Sequence, residues 1–307
     1  MEGTGVTNPI WWRADRLDTR LAQGRLAVAH VGAVGRTLAR WHAERRDVDA
    51  PIVSPTDCVA DLRARSAGDA LAACDRLAGI ARADAARLAA RADRKVRLHG
   101  GLALDAVYVD AASHAHFAAT DASLAGDPAL DVAALRVALC GGGRFDLAEH
   151  LAAAYAETAD DFALYGVLDF WEAFVALERG GPAPAPRVVR PSLVAVEPGA
   201  DDPARIALEL GAPLVAASQL REVPGDAWSL FLAIARRAGD VLDAGRTVVV
   251  AGPFASASAR RALERLARGR GVALRFAGHG GRRIARVRAR PAHPTAERST
   301  PRRAPLL

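Results

Sequence analysis

The chain has 307 residues, 51% of them hydrophobic and 25% charged, with aromatic residues at only 5% and a formal net charge of +6. That length allows two domains or one large one, and the balance suits a folded globular protein rather than a disordered or fibrous one. No apolar run is long enough to span a bilayer, and the N-terminal MEGTGVTNPIWWRADR lacks the basic stretch and apolar core of a secretory signal.

Residues 1–12 read as a flexible N-terminus, with Trp11 and Trp12 as a possible anchor. A helical pattern covers 13–23. A stronger one covers 26–44, with Val28, Val31, Val34, Leu38 and Trp41 on one face. His42, at the end of that helix, reads as a packed histidine rather than a ligand. A Pro-containing loop (47–56) leads to two Ala-rich helices over 58–65 and 69–91, broken at Gly68. Their alternating Asp and Arg residues read as a solvated face. Val96 to Leu98 form a short apolar run into a Gly turn. Strands over 106–109 and 116–119 flank a polar turn. Asp127 and Pro128 open a helix over 129–139, and further helices cover 146–158 and 162–179. Gly141, Gly142 and Gly143 follow a helix rather than a strand and lack a Lys-Ser/Thr pair, so they read as a flexible turn.

The Gly/Pro-rich GGPAPAPRVVRP marks a linker over 181–190. Beyond it, strands over 192–196, 213–217, 246–251 and 272–276 alternate with helices over 204–210, 228–244 and 258–268. That rhythm predicts a parallel sheet spanning 191–280. Residues 281–307 read as a basic disordered tail. Residues 259–307 hold fourteen arginines against Glu264 and Glu297, while the whole chain carries only +6, so the remainder is net acidic. The three cysteines, Cys58, Cys74 and Cys140, fit neither a disulfide framework nor a metal spacing and point to a reducing cytoplasm. His114 and His116 have no third ligand nearby in sequence, so no metal site is expected there.

Residues 95–135 carry the chemistry. The run His99-Gly100-Gly101-Leu102, the strand–turn–strand to Phe117-Ala118, and Asp127-Pro128-Ala129-Leu130-Asp131-Val132-Ala133 together resemble the catalytic loop of the aminoglycoside-phosphotransferase family, within the protein-kinase-like fold. The order of the two halves resembles bacterial proteins that join such a domain to a P-loop kinase-like domain. The resemblance implies a mostly helical large lobe over 13–180, without its small lobe, followed by a parallel-sheet P-loop-like domain: an α/β and α+β chain. It places the catalytic-base Asp on Gly101, the metal-ligand Asn on Ala106 and the metal-binding Asp on Ala118, with Asp127 and Asp131 as structural anchors. In the second half it places the phosphate loop around Gly199, with Arg221 retained.

Phosphoryl transfer needs an oriented nucleophile and charge neutralisation by Mg²⁺ held on hard oxygen ligands. Gly101, Ala106 and Ala118 offer no side-chain oxygen. Lys95 is the single lysine among 41 basic residues, and it fits neither a kinase-like strand nor a Walker loop. Around Gly199, Glu197, Asp201 and Asp202 put negative charge where phosphates would sit, and Pro198 and Pro203 remove amide donors. The leading expectation is a non-catalytic relative with an unidentified protein partner, no membrane association and no cofactor. The alternative is a small-molecule phosphotransferase using ATP and Mg²⁺ through Asp105, Asp110 or Asp121. A third is a nucleic-acid accessory protein that contacts phosphates through the arginines of 282–307.

Overall fold

The computed structural model describes residues 15–46, 50–100, 102–119, 124–181, 190–197, 199, 202–220, 226–254, 256–277 and 285–287. The chain is a mixed α/β protein, mostly helical in its N-terminal part, with a four-stranded parallel sheet and interleaved helices towards the C-terminus.

The first described residues form a strand, not the start of the helix expected over 13–23. Asp15–Arg16 (β1) pairs antiparallel with Val109 and Tyr108, and the helix α1 covers only Leu17–Ala22. The long helix α2, Val28–Ala43, buries Val31, Val34 and Leu38 as its spacing requires, with His42 completing the stripe. Trp41 stays half-buried, with the Arg45 guanidinium 4.4 Å from its ring centroid. Helix α3, Pro55–Ala64, starts at Ser54, whose hydroxyl oxygen accepts from the Asp57 amide. The single helix expected over 69–91 is two, α4 (Asp69–Ala83) and α5 (Ala85–Ala89).

Short strands then build the loop region: β2 (Val96–Arg97), β3 (Val107–Val109), β4 (Ala115–Phe117) and β5 (Ala125–Gly126). β1, β3 and β4 form one antiparallel sheet, and β2 pairs with β5. Helices α6 (Ala129–Gly141), α7 (Phe145–Ala159) and α8 (Tyr165–Glu178) close this part. α2 lies directly against α7, and Gly35 permits it: a Cβ there would stand 2.6 Å from the Leu151 carbonyl oxygen. On α8, Phe170, Trp171 and Phe174 are buried and meet edge to face, with ring centroids 4.9 and 5.9 Å apart.

The second half reads much as its sequence alternation requires. Strand β6 is Ser192–Val196, followed by α9 (Pro203–Leu210), β7 (Leu214–Ala216), α10 (Ala227–Asp243), β8 (Val248–Ala251), α11 (Ala257–Gly269) and β9 (Ala273–Ala277). Within the stretch read as a tail, Ala285–Val287 forms a further strand, β10, antiparallel to β9. The sheet order is β10-β9-β6-β8-β7. Val194, Val196 and Val249 pack with Ala207 of α9 on one face, while Leu193, Ala195, Val248 and Val250 face α10 and α11 on the other. Two side chains hold the β7 amides: Glu157 of α7 accepts from the Leu214 N–H at 2.7 Å and Gln219 from the Ala216 N–H at 2.9 Å. Among the described residues no helix is long and apolar enough to cross a membrane.

A charged cluster ties the helices together and reaches the sheet. Arg136 of α6 is 2% exposed; it donates to Glu172 of α8, to Glu149 of α7 at 3.0 Å and to the Ala148 carbonyl at 2.7 Å. Burial opposes its charge, but Glu172 and Glu149 outweigh that and hold its pKa above the ordinary value. Arg246, just before β8, donates to the same Glu149 at 2.7 Å and to Asp169 at 2.9 Å. Replacing Arg136 with Met strips Glu172 of its cation in a dry interior. Urea unfolding of Arg136→Met is expected to show a loss of about 3–5 kcal/mol.

Candidate functional site

The Gly100 turn is positioned from beneath by two carboxylates at the start of α6. Asp127 caps the helix entry, its Oδ1 accepting from the Ala129 amide at 2.9 Å. Arg91 grips Asp127 with Nε and Nη2 at 2.7 and 2.8 Å, and grips Asp161 with Nη1 and Nη2 at 2.7 and 2.8 Å. Burial works against the Arg91 charge, yet these hydrogen bonds raise its pKa above the usual arginine value. Arg91 thus corrects one sequence expectation: it ends the stretch whose charges read as a solvated face, but it is 4% exposed.

Asp131 is 2% exposed and holds the turn itself. Its Oδ2 accepts from the His99 amide at 2.6 Å and from His42 Nε2 at 3.1 Å, and its Oδ1 accepts from the Gly100 amide at 3.4 Å. A carboxylate can only accept, so His42 carries a proton on Nε2. In the neutral imidazole, Nδ1 then accepts from the Tyr155 hydroxyl at 2.8 Å. His42 is a packed helix-end histidine, as expected, and also a link between α7 and the loop. Gly100 has φ +74°, a left-handed conformation that favours glycine.

The structure brings together most of the residues singled out from the sequence. His99 lies between Trp41 and Phe117, with centroids 6.1 and 6.2 Å away, and its Nε2 donates to the Ala118 carbonyl at 3.1 Å. The Ala118 amide donates to the Ala106 carbonyl at 2.8 Å. The two positions that the resemblance assigns to metal ligands therefore meet across the β3–β4 hairpin, and both side chains are methyl groups. Gly101 and Asp121 lie outside the described residues. Asp105 is exposed in a short 3-10 turn, Leu104–Ala106. Asp110 stands 3.1 Å from His114 and 3.8 Å from His116 and accepts from the His114 amide at 2.8 Å. Among the described residues no group of three or more His, Cys, Asp or Glu is placed to hold a metal ion.

In the second half, Gly199 follows β6, exposed, with φ +78°. Arg221 lies outside the described residues. At the end of β6, Glu197 pairs with Arg260 of α11. The first turn of α9 has Pro203 in place of one amide donor, and the Asp202 carboxylate accepts from the Ala204 amide at 3.0 Å. A helix N-terminus attracts anions through its unpaired amides; here the helix's own capping residue supplies that negative charge.

Beside the Gly100 turn, α3, α6 and the end of α8 border a cavity of about 330 Å³. Leu98, Leu102, Leu130, Ala134, Phe174 and Val175 supply apolar wall. Asp57, Asp61 and Glu178 line it too, against Arg65 and Arg179. Arg179 donates to the Ala134 and Leu102 carbonyls at 3.1 and 3.0 Å. Arg65 pairs with Asp61 at 3.0 Å and reaches Glu178 at 3.7 Å. Cys58 also lines the cavity, and its thiol is pushed up to about 12, by burial first and then by Glu178, Asp57 and Asp61. This space is not legible in the sequence, because its walls come from four separated segments.

No protein-family model, curated protein or solved structure matches the chain.

Removing the Asp131 carboxylate leaves a buried His99 amide and His42 without their acceptor. Asp131→Ala is expected to lower stability by about 2–4 kcal/mol, read by urea unfolding, with Asp131→Asn retaining part of the loss. The Cys58 thiol stays protonated at ordinary pH, because burial and then Glu178, Asp57 and Asp61 disfavour its thiolate. Its alkylation by iodoacetamide, followed by mass spectrometry, should rise roughly tenfold per pH unit between pH 8 and 10.

Proposed function

We propose that the chain is a non-catalytic relative of the aminoglycoside-phosphotransferase and P-loop-kinase fusion proteins, retaining the frame of a phosphate-transfer loop as a binding or regulatory module. One observation carries the reading. The anchors of the loop are intact, with Asp131 on the His99 and Gly100 amides and Arg91 on Asp127. The positions that would converge on Mg²⁺, 106 and 118, are hydrogen-bonded neighbours with no side-chain oxygen between them. Mg²⁺ demands near-octahedral oxygen coordination and is normally bound by one or two carboxylates together with substrate phosphates.

The second half supports the same reading on electrostatic grounds. A triphosphate approaching the end of β6 meets Glu197 and the Asp202 cap of α9. Like charges at close range in a partly shielded site oppose binding by several kcal/mol, as an order of magnitude. The Arg260 guanidinium already has Glu197 as its partner.

Isothermal titration of the intact chain with Mg-ATP and with Mg-GTP tests the proposal. The expected outcome is no saturable binding at micromolar concentrations. Micromolar binding of either nucleotide overturns it and favours a working phosphotransferase.

A further inference from the structure

The cavity beside the Gly100 turn has a composition that the loss of phosphate chemistry does not explain. Its volume, about 330 Å³, falls in the range of small-molecule pockets, roughly 300–1,000 Å³. Leu98, Leu102, Ala134, Phe174 and Val175 are buried around it, so its interior is dominated by hydrocarbon and one aromatic ring. These side chains are only 1–6% exposed, so a body of matching shape gains chiefly van der Waals contact with the wall.

The charges around this wall are not balanced. Four carboxylates, Asp57, Asp61, Asp131 and Glu178, line the space against two guanidiniums, with Asp131 already engaged by His42 and two backbone amides. Arg179 is turned onto backbone carbonyls, and Arg65 is held by Asp61. Asp57 takes the Ser54 hydroxyl at 2.6 Å. Glu178, 44% exposed, has its nearest cation, Arg65, at 3.7 Å. Burial is the first cause that raises the Cys58 pKa, and Glu178, Asp57 and Asp61 add to it while Arg65 opposes them. A cation therefore gains in this space and an anion loses.

We propose that the cavity binds a small amphiphilic organic cation, an aryl- or alkyl-ammonium whose apolar body lies against Leu102, Phe174 and Val175 and whose ammonium group faces Glu178 and Asp57. This goes beyond the loss of nucleotide chemistry and does not depend on it, because none of these contacts uses residues 106 or 118. Binding is non-covalent, since the thiol at Cys58 is held protonated.

The test is isothermal titration of the intact chain with 2-phenylethylamine, using 3-phenylpropionate and 2-phenylethanol as anionic and neutral controls. The amine is expected to bind saturably and about tenfold more tightly than either control. Glu178→Gln, at a half-exposed position, should weaken the amine about fivefold and leave the alcohol unchanged. Ala134→Phe and Cys58→Phe fill the space from α6 and from α3, and either one that remains folded by circular dichroism should abolish binding. The proposal is overturned if the amine binds no more tightly than the propionate, if Glu178→Gln leaves its affinity unchanged, or if a folded filling variant retains full binding. The titrant is not a nucleotide, so this outcome and that of the Mg-ATP titration are read separately.

Discussion

One buried carboxylate holds the loop in place. Asp131 is removed from water, and an uncompensated charge there would be strongly unfavourable. Two backbone amides and the His42 imidazole replace its hydration shell. The imidazole comes from α2 and the two amides from the Gly100 turn, so the carboxylate fixes α2, α6 and that turn relative to one another. Asp131 sets which imidazole nitrogen carries the proton, and Tyr155 extends the chain of hydrogen bonds to α7. The Asp131 carboxylate holds the turn by its His99 and Gly100 amides rather than by its side chains. A loop of this kind can lose its reactive groups and keep its geometry.

The same logic operates at the junction of the helical part with the sheet. Glu149 accepts from Arg136 on one side and Arg246 on the other, so a single α7 carboxylate couples α6 to the residue leading into β8. Arg237 of α10 reaches Asp160, and Arg87 donates to the Asp243 carbonyl at 3.3 Å. One hydrophobic cluster runs from the α2 and α7 stripe through α8 to Leu193, Val215 and Val248. Apolar area supplies the bulk of the attraction, and the directional ion pairs select one arrangement of the two surfaces.

Periodicity made the long elements legible. The aromatic run of α8 and the apolar run of β6 bury the residues that their spacing assigns to the interior, and the α2 stripe buries Val31, Val34 and Leu38 while Val28 and Trp41 at its ends stay half-buried. Elements defined by a remote partner were not legible. β1 is two residues long and exists because Val109 and Tyr108 lie opposite it. β10 exists because β9 offers an edge. Arg91 looked solvated because its partners, Asp127 and Asp161, are 36 and 70 residues away. Of the candidate site, the glycine turn at Gly100 and the helix entry at Asp127 and Pro128 were readable from local turn and helix-start residues. The Asp131–His42–Tyr155 relay and the cavity were not, because they depend on how α2, α3, α6, α7 and α8 pack.

Strand β7 forms one margin of the large sheet. Margins of this kind are where a foreign strand can dock or where copies of a protein can stack into fibrils, since they offer a row of vacant main-chain donors. Here the carboxylate of Glu157 and the amide oxygen of Gln219 already occupy the Leu214 and Ala216 N–H groups. An incoming peptide would have to displace both before it could form a ladder. Self-association by strand addition is thereby disfavoured on this flank, so any β-mediated assembly is steered to the opposite flank.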